Sequence, residues 1–345
     1  MSRPVEAVIY PAVYEKGRLY VKAFGVYAVV TSLIGIAMPS TMIRVFNPFL
    51  KVIEDALHLP TPSANVTPEQ HAFYALAFTF TLAIGGIYAT SAWPLWERGG
   101  KLLVEVGLWT RLIFAAASWS FCLFTPYGTS FLFLISSIDL LSALLTMWGL
   151  GIGFPHIIRG LARTAISTER PVKSSVVKSA TQGLVFPRKY DAARVAFLGD
   201  AAYAIFGSAF TALYPEAAMR QLGPILKAIE ESTGMRHIEP STIEEQRLLA
   251  LSLMFSSAIG AIHLVLCGPY WNRGGKALVE ASFWTRSIYI AAAYTCCFLT
   301  PYGSALLFTV ASFDILQILL IKMVAEASWS EFIFGGTEVV SVSKN

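Results

Sequence analysis

Apolar residues gather into eight blocks, roughly residues 19–38, 70–92, 102–124, 128–150, 192–213, 245–267, 277–298 and 303–325, with polar and charged residues between them. At a rise of about 1.5 Å per residue, each block is long enough to cross a hydrocarbon layer of about 30 Å. The pattern predicts eight membrane-spanning helices. Between the first two blocks, Phe49, Leu50, Ile53 and Leu57 recur at helical spacing opposite Lys51, Glu54 and Asp55. That spacing predicts a short amphipathic helix on the membrane surface, or a packed structural loop.

The blocks are not independent of one another. WERGGKLLVEVGLWTR from Trp96 returns as WNRGGKALVEASFWTR from Trp271, and the match continues through the two TPYG turns to Asp139 and Asp314, without a gap, at an offset of 175 residues. At an offset of 176, Pro39, Arg44, Pro48, Lys51 and Glu54 return as Pro215, Arg220, Pro224, Lys227 and Glu230. A repeat of this length is a duplicated structural unit. With four blocks in each copy, both copies insert the same way round. The expected fold class is therefore all-α: a polytopic membrane helix bundle of eight spans in a parallel 4+4 tandem repeat, related by an axis along the membrane normal. The expected domains are a first four-helix repeat over 1–152, a cytoplasmic linker over 153–190, a second repeat over 191–328 and a C-terminal tail over 329–345.

Composition strengthens the membrane reading. The 345 residues are 55% hydrophobic and 14% charged, with a mean hydropathy of +0.58. Net charge is only +4, and the basic residues sit in a few loops rather than forming a nucleic-acid face. They cluster before the first block and after the second, fourth and sixth, as at Arg98, Lys101, Arg159, Arg188, Lys189, Arg273 and Lys276. By the positive-inside rule both termini are expected in the cytoplasm. The sequon Asn65-Val66-Thr67 then falls in a lumenal loop. The polar start MSRPVEAVIYPAVYEKGR carries no apolar signal-peptide core, so the first block is expected to act as the targeting signal. Cys122, Cys267, Cys296 and Cys297 lie in or at the ends of apolar blocks and read as small packing residues.

Against this apolar background a few polar residues stand out. Arg111 and Asp139 flank the first TPYG turn at nearly equal depth, as do Arg286 and Asp314 around the second. A lone charge at mid-membrane costs about 2.5–3.5 kcal/mol, so each Arg is expected to pair with the Asp of its own hairpin. Such pairs would either pin the hairpins or line a cavity and orient a polar substrate group. Glu105 and Glu280 stand four residues after Lys101 and Lys276 and four before Trp109 and Trp284. They read either as interfacial ion pairs beside belt tryptophans, or as carboxylic acids desolvated against an indole and able to donate a proton. Where the copies differ, Asp200 aligns with Phe24, His263 with Tyr88 and Glu97 with Asn272. Asp200 has no arginine matched to it along the chain. That makes it the first choice for a proton donor, followed by Glu105 and Glu280. Arg111, Asp139, Arg286, Asp314, Trp109 and Trp284 are the expected substrate contacts.

The chain holds no DDxxD, NDxxD, DxDD, HxxxH, CxxC, HExxH or Walker pattern, so no metal or cofactor is expected. Two jobs suit such a bundle: acid chemistry on a lipophilic substrate, with aromatic faces stabilising a carbocation, or transport through paired intramembrane charges. A non-catalytic scaffold is a third. In its buried acids, abundant aromatics and small polytopic build, the chain resembles the fungal integral-membrane terpene cyclases of meroterpenoid pathways, although it is longer than their seven-span members and is a tandem repeat. The resemblance implies cyclisation of a prenylated aromatic or its epoxide in the endoplasmic reticulum membrane, with membrane lipid and a lipophilic small molecule as partners and a prenyltransferase or epoxidase in the same pathway.

Overall fold

The computed structural model describes residues 5–167 and 181–342. In chain order the first half contains β1 (Val5–Ile9), α1 (Val13–Ala37), α2 (Pro39–Leu57), α3 (Pro68–Ala92), α4 (Leu103–Phe124), α5 (Ser130–Leu150), α6 (Phe154–Arg159) and β2 (Arg163–Ser167). The second contains β3 (Thr181–Val185), α7 (Ala193–Ala202), a π turn (Tyr203–Gly207), α8 (Ser208–Leu213), α9 (Pro215–Thr233), α10 (Ile243–Cys267), α11 (Ala277–Leu299), α12 (Ala305–Val324), α13 (Trp329–Phe334) and β4 (Glu338–Val342). The chain is thus a predominantly helical bundle.

Among the described residues, seven helical stretches are long and apolar enough to cross a membrane. Six are α1, α3, α4, α5, α10 and α12, and the seventh, Arg188–Leu213, runs through α7, the π turn and α8. The block expected at 277–298 forms α11 but is not among the seven. Thr285, Arg286, Ser287, Tyr289, Tyr294 and Thr295 dilute its apolar run. The amphipathic stretch does form a helix, α2, with Leu50 buried and Phe49 turned outward beside Val45 and Val52.

Helices α3 and α10 occupy the middle of the bundle. They bury 83% and 72% of their most apolar stretch, against 28% for α1 and 22% for α12. Their sequences permit this because they are apolar on every side rather than along one stripe. Both begin at a capping box, Thr67 with Gln70 in α3 and Thr242 with Glu245 in α10, which satisfies the first free backbone N–H groups. Small residues bring α1 onto α3. A side chain at Gly85 would strike the backbone of Val29, and one at Gly25 the backbone of Ala89. Packing then crosses between the halves, because α3 lies against α10 and α11, while α10 lies against α4 as well as α3, α7 and α8.

The expectation of an all-helical chain needs one amendment. Four five-residue strands form an antiparallel sheet in the order β2-β1-β3-β4. Val5 faces Ser167 and Thr181 faces Val342, pairs related by the repeat offset, and the central pairing sets Val8 against Leu184. A local two-fold therefore passes between β1 and β3. The residues read as linker and tail carry α6, β2, β3, α13 and β4 among their described positions. Strands this short leave too little alternation to be separated from polar loop by pattern.

Candidate functional site: two chambers between the halves

Two cavities are lined by largely equivalent helices of the two halves. The first, together with its mouth, holds about 850 Å³ and is lined by α1, α2, α3, α4 and α5, with Phe255, Ala258 and Ile262 reaching in from α10. The second holds about 630 Å³ and is lined by α7, the π turn, α10, α11 and α12, with Phe80, Ala83 and Ile87 reaching in from α3. These borrowed residues correspond through the offset of 175. Each chamber is therefore closed by the other half. Phe114 stacks on Phe255 over a centroid distance of 5.9 Å, and Phe80 on Tyr289 over 5.7 Å.

Arg111, Asp139, Arg286 and Asp314 all line these chambers, but the hairpin pairing expected for both holds in one. Arg286 donates from Nη1 to Asp314, as expected. No ion pair joins Arg111 to Asp139 among the described residues. Instead Arg111 Nη1 donates to Ser142 Oγ at 3.2 Å. Its guanidinium carbon lies 3.7 Å from the centroid of Phe24 and 5.1 Å from that of Tyr88. Equal depth along a hairpin was insufficient to pair these charges, because α1 and α3 present aromatic faces that take the cation instead.

Asp200 is the larger correction. Taken along the chain it lacks an arginine, yet Arg286 Nη2 donates to its Oδ2 at 2.7 Å, and His263 Nδ1 lies 2.7 Å from the same oxygen. Arg286 thus sits between two aspartates, one on α7 and one on α12. An acid chosen for having no cation beside it loses that argument. The replacements at positions 24 and 88 of the first copy by Asp200 and His263 in the second belong together, since they meet at a single oxygen. That paired asymmetry was the usable signal.

Glu105 and Glu280 line neither chamber. Glu105 is fully buried and accepts from Tyr14 Oη and the Leu161 N–H. Glu280 accepts from Tyr190 Oη at 3.2 Å, the Gly336 N–H at 2.9 Å, the Thr337 N–H at 2.8 Å and Thr337 Oγ1 at 2.6 Å. Tyr14 and Tyr190 are repeat equivalents, as are Leu161 and Gly336. Each carboxylate therefore fastens the chain that leaves α6 or α13 to the start of its own half. The lysines thought to neutralise them point elsewhere, Lys101 to Glu15 and Glu97, and Lys276 to Asp191 at 2.6 Å. Gly160 and Gly335, at φ +72° and +91°, turn the chain into this fastening. Added side chains there would meet guanidinium groups of Arg273 and Arg98 respectively, each from the opposite half. Trp109 and Trp284 also stand outside the chambers. Trp109 packs on the core and Trp284 Nε1 donates to the Ile333 carbonyl at 2.9 Å.

This geometry predicts that Glu105→Ala strips the acceptor from a buried hydroxyl and a backbone N–H. A stability loss of about 1–3 kcal/mol is expected, read as a lowered unfolding midpoint in detergent.

The residues missed from sequence are the aromatic walls of the first chamber, above all Phe24, Tyr27, Tyr88, Phe114 and Phe255. They are drawn from three different helices of one half and one helix of the other, so no local pattern collects them. Comparison with known proteins adds no neighbour: no family model, no curated protein and no solved structure matches the chain.

Proposed function

We propose that this chain is a membrane-embedded cyclase that closes rings on a prenylated aromatic, or on its epoxide, by proton-initiated carbocation chemistry in the first chamber. The observation that carries the reading is the composition of that chamber, in which eight aromatic side chains surround one carboxyl group that no cation pairs with among the described residues. Asp139, in its neutral form, delivers its proton to the substrate alkene or epoxide oxygen. The cation that forms is attacked by the next double bond or by the ring oxygen, and a proton is finally lost, so product and substrate are isomers. Aromatic faces stabilise the intermediate cations and the dry walls keep water from quenching them. Arg111 Nε is buried without a partner and is the group to hold the oxygenated ring of the substrate.

The reading carries a topology with it. Helices α1, α3, α4 and α5, and then α7 with α8, α10, α11 and α12, make eight spans in a parallel 4+4 repeat, with α2 and α9 as interfacial helices. The near-identical lengths of α2 and α9, of α3 and α10 and of α4 and α11 support it. The charge distribution supports cytoplasmic termini in the endoplasmic reticulum membrane, where a prenyltransferase or an epoxidase would supply the substrate.

Microsomes containing the protein, supplied with a farnesylated phenol or its terminal epoxide, should yield a cyclised isomer of unchanged mass that control microsomes do not. Absence of any such product, with solute uptake by reconstituted vesicles, would replace this reading with transport. Absence of both would favour a scaffold.

A further inference from the structure

The second chamber contains polar equipment that the cyclase reading leaves unused. Asp200 accepts from Arg286 Nη2 and sits 2.7 Å from His263 Nδ1, so the imidazole presents its Nδ1–H to a carboxylate already anchored by a guanidinium. In the neutral ring this contact sets the tautomer and leaves the lone pair on Nε2. That nitrogen has no hydrogen-bond partner among the described residues, and His263 lines the chamber. The ring is fixed edge-on to Phe197 at 5.7 Å. Two further polar groups facing the same space are unsatisfied: Tyr289 Oη, on a residue only 1% exposed, and Arg286 Nε. Buried polar atoms without partners are rare, and two of them beside the free imidazole nitrogen of one cavity call for a ligand that supplies them.

Charge and shape narrow the ligand. Arg286 is outnumbered by Asp200 and Asp314, so an anion would meet surplus negative charge. The other walls, including Ile87, Val310 and Phe313, are apolar. A hydroxyl group matches what remains, because it donates to an imidazole nitrogen and accepts from a phenol or guanidinium N–H. The mouth admits such a molecule from the bilayer, since Tyr203 lines the chamber and is still 64% exposed. At about 630 Å³ the space falls in the ordinary range for small-molecule sites.

We infer that the second chamber is a binding site for an uncharged lipophilic molecule carrying one hydroxyl group, whose O–H donates to His263 Nε2. The first chamber lacks this recognition, because Phe24 and Tyr88 occupy the positions of Asp200 and His263. The inference stands apart from the cyclisation chemistry and survives if that reading fails.

The test is equilibrium binding to the full-length protein in nanodiscs, with empty nanodiscs subtracted, using radiolabelled 4-nonylphenol and its methyl ether, alongside a long-chain alcohol and its ether. The hydroxyl compounds should bind about 10-fold tighter than the ethers, the gain of one buried hydrogen bond to the imidazole. In His263→Phe the ratio should fall to about 1 while the ethers still bind, which also reports that the protein is folded. The double change Asp200→Phe with His263→Tyr installs the first chamber's own residues and should give the same loss. Phe49→Ala, on the outer face of α2 and lining neither chamber, should leave the ratio as it is. Equal binding of phenol and ether by the unaltered protein, or an unchanged ratio in both histidine variants, would overturn the inference. Preference for the phenol without preference for the alcohol would restrict the ligand class to phenols and uphold the site.

Discussion

Replacing Asp139 by Asn should lower product formation by at least about 100-fold, the lower range of what a positioned acid contributes to a rate. The substitution keeps the shape and the polarity of the side chain and removes only the transferable proton. It should leave the unfolding midpoint nearly unchanged, because Asp139 makes no ion pair among the described residues that the amide would break. The informative comparison is Asp314→Asn, at the same position of the repeat. That change removes half of the charge facing Arg286, so it should act on stability and leave the first chamber's rate per folded molecule intact. Rates measured per folded molecule in microsomes separate these outcomes. An Asp139→Asn enzyme with full turnover would remove the proposed acid.

The largest loss of stability is expected at Arg286. Substituting methionine leaves Asp200 and Asp314 buried with their shared cation gone, and breaking a buried charge network of this kind costs about 3–5 kcal/mol. Arg111→Met removes a guanidinium that rests on aromatic rings and one serine, an arrangement worth about 2 kcal/mol when desolvated. Chemical denaturation in a fixed detergent, monitored by tryptophan emission, should therefore rank Arg286→Met well below Arg111→Met. Equal losses would mean that the two chambers are electrostatically alike, contrary to their geometry. Activity should show the reverse order, because Arg111 faces the proposed reaction space and Arg286 does not.

How much of this was legible beforehand follows from the range of each signal. Apolar blocks and the duplicated stretch are long and repetitive, so the helices and their recurrence could be read directly. Arg111, Asp139, Arg286 and Asp314 could also be singled out, since a charge in an apolar block is conspicuous, and all four line the chambers. Their partners were not legible. The choice of Asp139 over Asp200 depends on whether Arg286 on α11 reaches α7, a contact between helices whose packing no spacing argument contains. Glu105 and Glu280 were conspicuous for the same reason as the arginines but proved to be fastenings, because a backbone N–H after α6 or α13 leaves no trace in the pattern of side chains. The sheet escaped notice because its strands are only five residues long and scattered across both ends and the middle of the chain.

That sheet bears on how the protein came to have two unlike chambers. One half alone would carry β1 paired to β2 and leave the other edge of β1 open, and the edge that covers it, β3, is its own counterpart. A half-length ancestor would thus close on a second copy of itself, and that copy would also complete each chamber from across the interface. In such a homodimer positions 24 and 200 are the same codon, and every chamber must be identical. In one continuous chain the two positions are separate, so one chamber can carry Phe24 and Tyr88 where the other carries Asp200 and His263.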